Sequence, residues 1–189
     1  MFSRSFVLLI FAVFCGVICH AQNDSGEKLN VVDYYRLDLD NAFDNKGMRA
    51  VAVVEDLKNG YLRIEGAFEG YIEVALFRKK DSTPILLVSS TSCGPVCTSV
   101  VKALEHSDGK MVDVTESTIP VISSDKVKAI YLERKAKSDD LIEEGEVPLV
   151  FELPRFGRTI KVKVDTTFAP SDITVFRIKF SNDKFILAK

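Results

Sequence analysis

From Arg49 onward the chain is built of short runs in which apolar and polar residues alternate, separated by Gly, Asn, Asp, Ser and Pro. Alternation with a period of two suits strands that bury one face, and turn residues at this spacing join them as antiparallel hairpins. Asn59-Gly60 lies between residues 50–54 and 61–65. This dipeptide favours a type I′ turn, so a hairpin is expected there. In its second arm Leu62 and Ile64 face one side while Tyr61, Arg63 and Glu65 face the other, giving one buried and one wetter face.

The same reading extends along the body. Residues 71–79 set Ile72, Val74 and Leu76 on one face, turn over 80–83 and return through Pro84. Ile85, Leu86, Leu87 and Val88 are apolar on both faces and suit a central strand. Residues 100–104 pair with 111–114 around Ser107-Asp108-Gly109-Lys110, and 175–180 pair with 185–187 around Ser181-Asn182-Asp183-Lys184. Two hairpins of similar form fall short of a repeat architecture. Further strands are expected over 147–153 and from Ile160 to Val164, with a turn over Pro154 to Gly157. Two helices interrupt the strands. One is short, within 29–43, and the other runs from Ser123 or Ser124 to about residue 136 with Val127, Ile130 and Tyr131 on its buried stripe. The expected class is mainly β (α+β): antiparallel hairpins forming a sandwich or a partly closed barrel, with one or two short helices.

The N-terminus carries a different signal. Arg4 precedes an uninterrupted apolar run from Phe6 to Cys19, ending at His20 and Ala21. The run is shorter than the roughly 18–20 residues of a spanning helix and has the layout of a secretory signal cut after Ala21. Bulky Phe14 and Ile18 precede Cys15 and Cys19, which argues against lipid attachment. The expected organisation is a signal peptide over 1–21, a polar terminus and short helical segment over 22–48, and a single antiparallel β-rich domain over 49–189. No membrane span is expected after cleavage. The protein is then secreted or periplasmic, with Gln22 as its first residue. Such a length supports a core without help from metals.

Export makes the cysteines informative. Cys15 and Cys19 leave with the signal, so Cys93 and Cys97 remain alone in an oxidising compartment and are expected to bond to each other. Cys93-Gly94-Pro95-Val96-Cys97 has one residue more than a thioredoxin-type motif, and β-branched residues follow where that motif needs a helix start. A disulfide serving the local turn is therefore expected over a redox role.

Other chemistry is sparse. His106 is the one histidine of the exported chain, and the signatures of serine hydrolases, zinc peptidases and phosphate loops do not occur. Asp38, Asp40, Asp44 and Asn45 fail as a calcium loop, because Ala42 and Phe43 fall where an oxygen ligand and a glycine belong. No catalytic, cofactor-binding or metal-ligating residue is assigned. Lys and Arg number 25 against 27 Asp and Glu, which argues against nucleic acid. The densest basic run, Arg78-Lys79-Lys80, fits a solvated hairpin end. Acidic residues at 139, 140, 143, 144 and 146 fit a solvated loop. The functional expectation is a non-catalytic exported domain that binds a protein, glycan or other component of the cell envelope. The alternatives are a carboxylate-dependent hydrolase and, behind it, a thiol-disulfide redox protein using Cys93 and Cys97. The absence of Trp weighs against a sugar-stacking surface.

Four stretches, Asn59 to Gly66, Ala75 to Asp81, Cys93 to Cys97 and Glu152 to Gly157, resemble a family of small uncharacterised secreted proteins of Gram-negative bacteria. The resemblance covers roughly residues 49–180. It implies export and a shared fold, and it carries no activity to any residue.

Overall fold

In the computed structural model the alternating runs form two antiparallel sheets. The structure describes residues 28–42, 51–66, 69–134, 147–165 and 173–188. The expected signal at 1–21, the start of the terminus at 22–27 and the acidic stretch 139–146 lie outside the described residues.

The chain order is α1 (Val31–Ala42), β1 (Val51–Asp56), β2 (Tyr61–Glu65), β3 (Gly70–Arg78), β4 (Pro84–Cys93), β5 (Cys97–Ser107), β6 (Lys110–Asp113), α2 (Thr115–Thr118), α3 (Ser124–Arg134), β7 (Leu149–Glu152), β8 (Thr159–Val164), β9 (Thr174–Ser181) and β10 (Lys184–Ala188). Strands β1 to β6 form a six-stranded meander, and the second sheet has the order β10-β9-β8-β7. Among the described residues neither sheet closes on itself, so the fold is a sandwich and not a barrel, flanked by three short helices.

Turn chemistry explains the connections. Asp108 and Gly109, and likewise Asn182 and Asp183, all have positive φ, as a two-residue type I′ turn requires. The Asn59-Gly60 hairpin is real, but its turn differs from the expected one. Asp56 pairs with Tyr61, so Leu57 to Gly60 form a four-residue loop in which Gly60 alone has positive φ. The Asp56 carboxylate accepts from the Asn59 backbone N–H and side-chain amide, which favours the longer loop.

The central strands of the six-stranded sheet are buried on both faces, which corrects the expectation of one buried and one wetter face. Tyr61, Ala75, Phe77, Ile85, Leu87 and Ala103 point at the second sheet, meeting Ile160, Val162, Val164, Ile178, Phe180 and Phe185. Phe77, Phe180 and Phe185 lie with ring centroids 4.7–5.2 Å apart, and α3 adds Val127 and Tyr131 to this core. The opposite face carries Leu62, Ile64, Val74, Leu86 and Leu104, and α1 covers it with Val31, Tyr34 and Tyr35. A two-faced strand must be apolar throughout, so Ile85–Val88 reads as it does because β4 is central and covered on both sides.

The start of α1 is locally specified. The Asn30 side chain accepts from the Val32 and Asp33 backbone N–H groups, and the Asp33 carboxylate accepts from the Asn30 N–H in return. This reciprocal cap satisfies helix donors that would otherwise lack partners.

Candidate functional site

A polar side chain inside an apolar core must be hydrogen-bonded or it destabilises the fold. Among the described residues three such side chains are buried, Glu73, Ser89 and Thr91, and all three project from the first sheet toward the second. Their partners share one location. The strand β7 lies at the edge of the second sheet, with one row of backbone groups lacking a neighbouring strand. The Phe151 N–H donates to Ser99 Oγ at 3.2 Å, the Phe151 carbonyl accepts from Ser89 Oγ at 2.9 Å, and the Leu153 N–H donates to Glu73 Oε2 at 3.0 Å. Thr91 and Ser99 share a hydrogen bond of 2.8 Å. Side chains of one sheet thus stand in for the strand that the edge of the other lacks.

Glu73 is the centre of this seam. Besides the Leu153 N–H it accepts from the Tyr61 hydroxyl at 2.6 Å and from an Arg63 Nη1 at 3.4 Å. Burial pushes the Tyr61 phenol well above its ordinary value, and the hydrogen bond to Glu73 adds to the rise. The Arg63 guanidinium also lies 3.9 Å from the centroid of the Tyr71 ring and bonds Glu65 at 2.8 Å.

A pocket of about 180 Å³ is lined by Tyr71, Cys97, Val150, Glu152, Lys163 and Asp165, of which Val150 and Glu152 are neighbours in sequence of the seam residue Phe151. Lys161 and Lys163 both reach Glu152, each at 2.6 Å. Burial pushes the Glu152 carboxyl up, but the hydrogen bonds and charges of the two lysines outweigh it and hold the group below the usual value. The Asp165 carboxylate accepts from the Cys97 backbone N–H.

Cys93 and Cys97 are bonded to each other and form the last cross-strand pair of the β4–β5 hairpin, with Cα atoms 4.0 Å apart. Gly94, Pro95 and Val96 make the connection. The residue after the bridge continues a strand, so the cysteines lack the helix start that lowers a thiol pKa in the thioredoxin arrangement.

The other residues singled out by type are dispersed. His106 sits on β5 with its ring against Tyr34, centroids 5.4 Å apart, away from Cys97 at the far end of that strand. Asp38 on α1 is pushed up by burial, with Lys102 opposing and Asp113 adding to the rise. Asp113 is itself held by the Thr115 N–H and hydroxyl. Asp44 and Asn45 lie outside the described residues, and among the described residues no three His, Cys, Asp or Glu side chains are grouped to hold a metal ion. At the β3–β4 turn Lys80 is exposed, as expected of a hairpin end, whereas Arg78 and Lys79 are half-buried: Arg78 donates to the Leu29 carbonyl, Lys79 pairs with Glu105, and the Lys80 backbone N–H donates to Asp183. No described helix is long and apolar enough to cross a membrane.

No family model and no curated protein matches the chain. Among solved structures, a domain of an uncharacterized protein from Porphyromonas gingivalis W83 is similar, at 13% identity and a TM-score of 0.47 over 82% of this chain and 87% of that one.

Proposed function

We propose that the chain is an exported, non-catalytic domain that binds a protein, glycan or other component of the cell envelope, in keeping with the secreted family its motifs resemble. The observation that carries this reading is the state of the carboxylates around the seam: Glu73 is held by three donors, Glu152 by two lysines and Asp165 by a backbone N–H. A general acid needs a carboxyl raised toward neutrality, and a general base needs a free lone pair facing substrate. Glu152, held below its usual value by the two lysines, is a poor general acid, and its ion pairs with Lys161 and Lys163 supply a rigid cluster of fixed charge, which suits recognition.

The test is to isolate the mature protein from its native envelope, release what it retains and determine the mass of that component. The expected result is a chain beginning at Gln22 with a component that stays chemically intact on prolonged incubation. A shortened component whose formation stops in Glu152→Gln would replace this reading with a hydrolase. Disulfide exchange with insulin that stops in Cys93→Ser/Cys97→Ser would replace it with a redox protein.

A further inference from the structure

A concentration of positive charge lies away from the seam. A groove of about 490 Å³ runs between the chain entering α1, the β1–β2 turn and the β7–β8 turn, with Gly60, Leu76 and Phe77 among its lining. Among the described residues four cations line it, Lys28, Lys58, Arg78 and Arg158, and no carboxylate does. The chain as a whole has more acids than bases, so this separation is not a reflection of composition. Among the described residues Arg63, Lys79, Arg155, Lys161 and Lys163 form ion pairs while these four, like several exposed lysines elsewhere, do not; what sets the four apart is that they line one groove.

The nearby carboxylates are turned to other uses. Asp56, at the base of the β1–β2 turn, bonds Asn59 and the Arg155 Nε at 2.8 Å. Asp33 caps the Asn30 N–H. The first donors of α1 are occupied by that same cap, so the positive character of the groove comes from side chains.

The two guanidiniums are fixed in advance. Arg158 Nη2 donates to the Arg78 carbonyl at 3.0 Å while its Cζ lies 4.6 Å from the centroid of the Phe180 ring, and Arg78 Nη2 donates to the Leu29 carbonyl at 2.9 Å. A guanidinium carries five N–H donors, so one such bond orients each fork and leaves donors over. Lys28 and Lys58 are exposed and bring mobile charge to the same space. At Gly60 a Cβ would stand 3.1 Å from the Leu76 Cβ, so glycine allows the turn to press against β3 and form this wall.

We propose that this groove is a binding site for a phosphate-bearing ligand larger than a single phosphate, such as a diphosphate, a sugar phosphate or a phospholipid head group. Oriented arginine forks match phosphate oxygens, and cations clustered without a carboxylate among them repel one another until an anion neutralises them. The volume falls within the range of small-molecule sites. The inference rests on the reading of the domain as a binding module and names the chemistry of one ligand.

The test uses the mature protein and three probes: inorganic phosphate, pyrophosphate, and vesicles of phosphatidylglycerol with phosphatidylcholine vesicles as the neutral comparison. Saturable binding of pyrophosphate, tighter than phosphate and weakened by salt, is expected by calorimetry. Lys28→Gln/Lys58→Gln is expected to weaken it about tenfold, the effect of losing roughly one charge-assisted contact. The control Lys110→Gln/Lys126→Gln removes the same charge from exposed sites elsewhere and is expected to bind normally. Binding of pyrophosphate assigns a soluble phosphate ligand, and binding only to phosphatidylglycerol vesicles, lost in the same variant, assigns a lipid head group; both support the site. Binding to none of the probes, or equal loss in the control, overturns it. Retention of an intact envelope component is read separately, so the groove can fail while the binding reading stands, and the reverse.

Discussion

A single carboxylate shows how much of this fold depends on partners far away in sequence. Glu73 stands on a strand of alternating residues and reads there as solvent-facing, yet it is 3% exposed. Its partner, the Leu153 N–H, is 80 residues away and belongs to the other sheet. No local pattern encodes such a contact, which is why Glu73, Ser89 and Thr91 were not legible as a group, whereas the Cys93–Cys97 pairing was legible from spacing and number. Glu73→Ala leaves the Tyr61 hydroxyl and the Leu153 N–H without partners, and a loss of about 3 kcal/mol in urea unfolding is expected. The raised Tyr61 phenol has a consequence at high pH. The unfolded chain ionises tyrosine near pH 10 while the folded chain resists, so the stability this group contributes is full below about pH 10 and is lost as pH rises above it. Tyr35 is also held up, by burial first and by Asp38 second. Tyr61→Phe is therefore expected to flatten the alkaline decline in stability without abolishing it, as pH-dependent urea titrations would reveal.

At the scale of elements, turn residues and alternation were informative where they acted alone. Asp108-Gly109 and Asn182-Asp183 adopt the tight turns their residue types favour. Asn59-Gly60 does not, because Asp56 offers the Asn59 amide a competing partner. The short helix was legible as a ragged period in 29–43, but its packing was not: covering Leu62, Ile64 and Val74 is a tertiary event. The apolar run in β4 held the clue, since a strand with only one buried face has no need of four consecutive apolar residues. The cap of α1 gives a test. Asn30→Ala removes the acceptor for two backbone N–H groups, and a loss of about 1 kcal/mol is expected, with faster amide exchange in the first turn of α1 than in β3.

Across the described residues, the two sheets are joined by an apolar core and by the hydrogen-bonded seam. The bridge closes a short loop within one hairpin and does not link the sheets. Cys93→Ser/Cys97→Ser is expected to keep the fold and lose about 2 kcal/mol by the chain-entropy relation, checked by urea unfolding against the parent. Polar side chains of the first sheet, Glu73, Ser89 and Ser99, complete the open edge of β7. Amide hydrogen exchange at Phe151 and Leu153 tests it most directly, because both N–H groups point away from β8 toward side-chain acceptors. The expected result is protection approaching that of global unfolding at both amides, reduced at Phe151 by Ser99→Ala and at Leu153 by Glu73→Gln. Exchange in the folded protein as fast as that of a solvent-exposed edge, unaltered by either substitution, would contradict it.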